Sequence, residues 1–192
     1  MQLSCYFDYT CVYSCRVWRW LERLRGQGVN LEIEWLSFVL KEVNRGEEPS
    51  LLEGPGIDSV AVLALAMGEA LRESPSVDEF RRDMFDAMHP SEGERAGKDD
   101  VLRVAVRNGL DLHAFRKRES RWMERVRHHH YDEVERFGVF GTPTLVIGGE
   151  APIYFKLAEL PAGDDKVLWE SVLHVAADFP EVAELKRPSP SN

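Results

Sequence analysis

The stretch Phe7-Asp8-Tyr9-Thr10-Cys11-Val12-Tyr13-Ser14-Cys15 changes its period in the middle. Residues 2–8 alternate, with Leu3, Cys5 and Phe7 on one side and Ser4, Tyr6 and Asp8 on the other. That period of two marks a β-strand. From Cys11 onward, Cys11, Cys15, Trp18 and Leu21 share one helical stripe, with Arg16, Arg19, Glu22 and Arg23 elsewhere. Thr10 is the expected N-cap, and Gly26 to Gly28 the expected stop. Val29, Leu31, Ile33 and Trp35 then alternate with Asn30, Glu32 and Glu34, a second strand. A strand, a helix and a strand joined by a right-handed crossover form a βαβ unit with parallel strands. Cys11 therefore stands where a strand hands over to a helix. Unpaired N–H groups and the macrodipole favour negative charge there, so the position favours the thiolate, the reactive form of cysteine. A buried, inert thiol is the plainer alternative.

Beyond this unit, residues 44–56 are rich in Gly, Pro and Glu and read as a linker or long loop. From Ile57 to about Phe137 the periodicity is helical throughout. Val60, Leu63, Ala64, Met67 and Leu71 form one apolar stripe. Ser76 and Glu79 fit a capping box ahead of Phe80, Met84 and Phe85. Residues 99–108 predict a short helix stopped by Gly109. Asp111 predicts the cap of a long helical stretch, continuous or broken, that runs to Phe137. Strands then return. Residues 144–147 are short and β-branched, Gly148-Gly149 is a turn, and residues 151–155 predict the return strand of a hairpin. Residues 165–179 predict a last helix, and the Pro/Ser-rich residues 186–192 a disordered tail. The fold class is α/β: β-α-β, an all-helical insertion, then β-β-α in the same sheet. The boundaries expected are 1–44 with 138–180 for the sheet part, 45–137 for the inserted helices and 181–192 for a flexible tail.

Composition removes several function classes. The 192 residues carry a net charge of −9, which opposes general binding to phosphate-rich nucleic acid. The segment from Arg16 to Arg25 interleaves Arg with Trp and Leu at helical spacing, the solvated face of an amphipathic helix. No stretch approaches the roughly 18 apolar residues of a membrane helix, so no membrane partner is expected. The first residues lack the basic and apolar regions of a signal peptide, which points to the cytoplasm. Three cysteines, an odd number, imply no closed disulfide framework. The apolar Trp-rich segments are candidates for a homodimer contact. His128, His129 and His130 are consecutive, so on a helix they point in different directions and cannot share one ion. His128 and Asp132 make an i,i+4 pair without a third ligand, so no metal is expected and the three read as a polar helix surface.

The segment from Phe7 to Ser14 resembles the active-site segment of DsbA-like thioredoxin-fold proteins, which carry Cys-Pro-x-Cys or Cys-Pro-x-Ser after the first strand. Gly138-Val139-Phe140-Gly141-Thr142-Pro143-Thr144-Leu145 resembles the second hallmark of that family, a cis-proline loop before a strand. Phe85-Asp86-Ala87-Met88 and Asp100-Val101-Leu102 stand in the family's order within the insertion. The likeness spans about residues 3–178 and is nearest the cytosolic, FrnE-like branch. That branch borders the kappa-class glutathione transferases and the 2-hydroxychromene-2-carboxylate isomerases.

The resemblance implies a thioredoxin-like fold and a thiol-disulfide oxidoreductase with Cys11 as nucleophile, facing Thr142 and Pro143. It implies that Thr142 offers backbone groups to a bound peptide or to glutathione. The family's resolving cysteine is replaced by Ser14, so Cys11 can form a mixed disulfide but cannot release it by the usual route. Cys15 is the candidate substitute. At i,i+4 its Cβ would lie about 5–6 Å from that of Cys11, further than a relaxed disulfide allows. The other reading of Cys15 is a core residue on the buried stripe, and Cys5 is read as core. Ser14 is placed to donate to the Cys11 sulfur, and Tyr13 to border the site. No resident cofactor is expected, with glutathione as a candidate co-substrate. The partner implied is a protein or small-molecule thiol or disulfide. Two alternatives remain: a glutathione-dependent transferase or isomerase, and a non-catalytic binding protein on the same fold.

Overall fold

In the computed structural model the described residues are 1–54, 57–149, 152–161 and 163–187, and the side chains of Asp132 and Glu133 are not among them. The elements run β1 (Gln2–Phe7), α1 (Val12–Gly26), β2 (Glu32–Ser37), α2 (Leu40–Val43), α3 (Val60–Leu71), α4 (Val77–Met88), α5 (Lys98–Arg107), α6 (Leu112–Lys117), α7 (Glu119–Phe137), β3 (Thr144–Ile147), β4 (Pro152–Tyr154) and α8 (Asp165–Asp178). The four strands form one sheet in the order β2-β1-β3-β4. β1 pairs parallel with β2 and antiparallel with β3, and β3 pairs antiparallel with β4. The α/β class, the parallel βαβ opening and the helical block between β2 and β3 follow the sequence reading.

β1 is buried on both faces. Leu3, Cys5 and Phe7 join the large core formed with α1, α3, α4, α5 and α7, while Tyr6 joins Leu36, Phe38, Val139 and Val146 in a second core across the sheet. On the other side of the alternation Tyr6 and Asp8 are both fully buried. All five tryptophans, offered above as a dimer surface, are buried within the chain's own core.

Several boundaries depart from expectation for local reasons. Thr10 does not cap α1, because its N–H and hydroxyl both donate to the Asp8 carboxylate, and Cys11 takes the N-cap position. β2 begins three residues late because the Val29 N–H closes the end of α1 by donating to the Leu24 carbonyl. The stretch read as a linker is tethered: the Glu42 carboxylate accepts from the Leu51 N–H and from Arg45, and Leu52 is fully buried. Pro55 and Gly56 of that stretch lie outside the described residues.

Ser76 precedes α4 but caps nothing; its hydroxyl donates to the Asn108 carbonyl at the end of α5. α5 starts at Lys98, with the Asp100 carboxylate accepting from the Gly97 N–H. Asp111 caps as expected, through the His113 and Ala114 N–H groups, and the long helix breaks at Arg118 into α6 and α7.

Of the three histidines read as a polar helix surface, His128 is exposed but the other two are not solvated. His130 is buried and its Nδ1 accepts from the Val39 N–H, while the His129 Nδ1 lies 3.2 Å from the Glu69 carboxylate. Among the described residues no three His, Cys, Asp or Glu side chains come together as a metal site. The Asp132 side chain lies outside them. Glu69 ties α3 to the sheet: Ser37 Oγ donates to it at 2.6 Å, and Arg72 Nε at 2.9 Å. Arg72 also reaches past it to donate to the Trp35 carbonyl at 2.7 Å, on the outer edge of β2. Of the predicted hairpin, Ala151 lies outside the described residues. So do residues 188–192 of the predicted tail, while residues 181–187 are exposed. No helix among the described residues is long and apolar enough to cross a membrane.

Candidate active site

Asp8 builds the loop that carries Cys11. Its carboxylate is fully buried and accepts from the Thr10 N–H and hydroxyl, both at 2.7 Å, and from the Leu40 N–H at 2.9 Å. Its backbone carbonyl accepts from the Cys11 N–H at 3.1 Å. An Asx-type turn of this kind brings the chain sharply from strand to helix. Burial pushes the Asp8 carboxyl above the ordinary carboxylate range, against the pull of its Thr10 and Leu40 donors. No motif marked Asp8 as functional. The usable signal was an Asp two residues before a Thr at a strand end.

From that loop the Cys11 thiol faces the far end of the chain. Its Sγ lies 3.5 Å from the Thr142 carbonyl oxygen, to which it donates. The Thr142–Pro143 peptide bond is cis. α7 delivers this loop: it ends at Gly138 in the left-handed conformation, and the chain turns through Gly141 to Pro143 before β3 begins. The Thr144 hydroxyl donates to the Gly141 carbonyl at 2.8 Å and braces the turn. Thr142 is 1% exposed, and its hydroxyl has no hydrogen-bond partner among the described residues. Cys11 itself is 5% exposed.

The other predicted residues are less uniformly placed. Tyr13 is half-buried beside the site, with Lys156 Nζ 4.8 Å and the Arg16 guanidinium 5.6 Å from its ring centre. Ser14, expected to donate to the Cys11 sulfur, is 1% exposed; its hydroxyl accepts from the Asp8 N–H at 3.5 Å. It therefore braces the Asp8 turn. Cys15 is buried within the large apolar core, and burial pushes its thiol up to about 11, more than the neighbouring Arg19 guanidinium draws it down. Cys5 is fully buried, and burial raises its thiol far above the ordinary value. All three cysteines are free thiols.

A rim of aromatic and basic side chains escaped the sequence reading. Lys156, just past β4, sits 4.7 Å from the Tyr154 ring centre as well as over Tyr13. Its ammonium is raised first by its hydrogen bond to Tyr154, with Tyr13 and Cys11 adding to the effect. Phe140 is 66% exposed and meets Tyr154 edge-on at 4.8 Å. These residues come from a three-residue strand and a loop tip, where no periodicity distinguishes them.

The sequence matches the family model of the DsbA-like thioredoxin domain over residues 2–162. No curated protein matches it. The fold is similar to that of a thioredoxin-like oxidoreductase from Silicibacter pomeroyi, 19% identical, covering 91% of this chain and 86% of that one with a TM-score of 0.60. A probable DsbA oxidoreductase from Streptomyces coelicolor is 12% identical, covering 99% and 94% with a TM-score of 0.63. A 2-hydroxychromene-2-carboxylate isomerase is 19% identical, covering 96% and 100% with a TM-score of 0.59. At these identities the structural likeness speaks for the fold alone. The family model, however, runs through both the cysteine at the head of α1 and the loop that faces it, and the chain belongs to the DsbA-like thioredoxin-domain family.

Proposed function

We propose that this protein is a thiol-disulfide oxidoreductase that works through one cysteine, Cys11. The observation that carries the reading is the 3.5 Å approach of Cys11 Sγ to the Thr142 carbonyl, made by residues 131 positions apart. In the first step the Cys11 thiolate attacks a substrate disulfide. The substrate S–S bond breaks, a mixed disulfide forms on Cys11, and the departing sulfur leaves as a thiolate that takes up a proton. In the second step an external low-molecular-weight thiol such as glutathione attacks the mixed disulfide as its thiolate. It restores the Cys11 thiolate and leaves as a mixed disulfide with the released group. These two steps release one substrate thiol and leave the other joined to the external thiol. A second external thiol, attacking that mixed disulfide, frees it and leaves as the external thiol's own disulfide, so one substrate disulfide is reduced for two external thiols oxidised.

Cys15 is the weaker resolving group, because a buried thiol held near 11 is almost entirely protonated at neutral pH. Thr142 and the Tyr13–Lys156–Tyr154 rim would hold the substrate. Three free thiols and no disulfide suit a reducing compartment, and we propose that the protein acts in the cytoplasm.

The test is turnover of a small disulfide in the presence of glutathione, with peptide mass mapping of the adduct. The expected result is one half of the small disulfide bound to Cys11 when glutathione is withheld, loss of turnover in Cys11→Ser and unchanged turnover in Cys15→Ser. Loss of turnover in Cys15→Ser would return resolution to Cys15. Glutathione binding without exchange would overturn the reading in favour of a transferase or isomerase. Neither exchange nor binding would leave a non-catalytic binding protein.

A further inference from the structure

α1 presents a second functional surface one turn beyond Cys11. Cys15, Arg16 and Arg19, with Val12, lie at helical spacing on one face. They line a cleft of about 350 Å³ opposite His89 and Arg95 of the α4–α5 connection. Four observations describe its charge. Arg95 makes no hydrogen bond or ion pair among the described residues. Arg16 gives one N–H to the Leu157 carbonyl at 3.4 Å and otherwise leans on the Tyr13 ring. Arg19 pairs with Asp86 at 2.8 Å. His89 donates from Nε2 to the Tyr9 carbonyl at 2.8 Å; burial first, then Arg95, Arg19 and Arg16, hold its imidazole below the ordinary value and so neutral. Three guanidinium groups thus face one carboxylate, although the chain as a whole carries −9. Glu92 and Glu94 stand on the same connection but do not line the cleft.

A concentration of guanidinium groups in a walled cleft raises the local concentration of anions, and their planar forks match carboxylate, sulfonate and phosphate oxygens. The volume is near the lower end of small-molecule sites and too small for a folded partner. Arg16 stands about 7.5 Å along the helix axis from Cys11 at the usual rise per residue. That is the reach of a small peptide-like molecule with a sulfur at one end and an acidic group at the other.

We infer that this cleft binds the acidic end of a small thiol or disulfide whose sulfur reacts at Cys11. The inference rests on the exchange reading of Cys11 and names the substrate class it serves: anionic low-molecular-weight thiols and their disulfides.

Two measurements test it. The first is calorimetric binding of citrate at low ionic strength, which requires no reaction at sulfur. Citrate is expected to bind the native protein and to bind Arg95→Glu at least tenfold more weakly. The exposed Lys186→Glu, which changes the net charge equally, is expected to keep the native affinity. No binding, or equal binding by Arg95→Glu, would overturn the inference.

The second compares the rates at which Cys11, identified by peptide mapping, reacts with three disulfides: dianionic 5,5′-dithiobis(2-nitrobenzoate), neutral 4,4′-dithiodipyridine and dicationic cystamine. Each rate is divided by that of N-acetylcysteinamide with the same disulfide. The anionic reagent is expected to gain at least tenfold over the cationic one, and Arg95→Glu to close the gap without slowing the neutral reagent. Equal normalised rates would overturn the inference. Failure of Cys11 to react with any of the three would instead overturn the exchange reading, and citrate binding would still decide whether the cleft takes anions.

Discussion

Asp8 is fully buried without a cation among its hydrogen-bond partners, yet three donors from Thr10 and Leu40 converge on its carboxylate. Removing that acceptor leaves backbone N–H groups unsatisfied on both sides of the loop, which costs about 1–3 kcal/mol. Asp8→Ala should therefore lower the unfolding free energy by that order, read as a lower urea midpoint, and slow alkylation of Cys11. Asp8→Asn, which keeps an acceptor oxygen, should retain most of both. An unchanged midpoint in Asp8→Ala would remove Asp8 from the account.

Two other buried groups set the response to acid. His130 is held at about 4 by burial, below its ordinary 6.5, so it stays neutral in the folded chain while the unfolded chain takes up a proton. Stability is full above pH 6.5 and falls between there and 4. Glu69 is held at about 2, below its ordinary 4.5: its His129 and Arg72 hydrogen bonds and their charges outweigh the opposing effect of burial. Its contribution, on the order of 3 kcal/mol, is present above pH 4.5 and lost as pH falls towards 2. Urea midpoints should thus decline in two overlapping arms. His130→Asn should flatten the upper arm, leaving the part owed to His89, whose shift has the same sign. An upper arm of unchanged slope would assign it to other groups.

At the scale of elements, the loop facing Cys11 depends on where α7 stops. Gly138 ends that helix at φ 63°, a conformation a side chain resists. Gly138→Ala should cost about 1 kcal/mol in urea unfolding and weaken exchange at Cys11 together with stability. A loss of stability with full exchange activity would separate the helix end from the site.

The elements were legible where one physical rule acted alone. The switch from period two to helical period at Cys11 located β1 and α1, and the β-branched run after Pro143 located β3. Sequence reading failed where a tertiary partner claimed a local group. Thr10 was drawn to Asp8, and the Ser76 hydroxyl to the Asn108 carbonyl, so neither caps its helix. His129 and His130 resembled a solvated triplet because nothing in their own helix reveals Glu69 or the Val39 N–H across the fold. In the site, Cys11 and Pro143 were visible as family marks. Asp8 was hidden as an ordinary polar alternate of a strand, and Lys156 and Tyr154 by the shortness of β4.

At the scale of the molecule, the larger of the two apolar cores runs from α1, the sheet and α8 into α3, α4, α5 and α7, across the boundaries expected between sheet part and helical insertion. Its tryptophans report from both regions: Trp20 packs on Trp169 of α8, and Trp122 lies on α7. Unfolding should therefore be cooperative across the chain. Tryptophan fluorescence and far-ultraviolet circular dichroism should trace one urea transition with one midpoint. Two separated midpoints would show the helical insertion melting by itself.

The two margins of the sheet are unlike the rest of it. On one side β4 is three residues long and begins at Pro152, which has no N–H to give. On the other, Arg72 already occupies the Trp35 carbonyl, and Glu32 and Glu34 stand exposed along the strand. Neither flank offers an incoming backbone an uninterrupted row of partners, so the sheet is guarded against growth into intermolecular ribbons, the route by which unprotected strands seed aggregates.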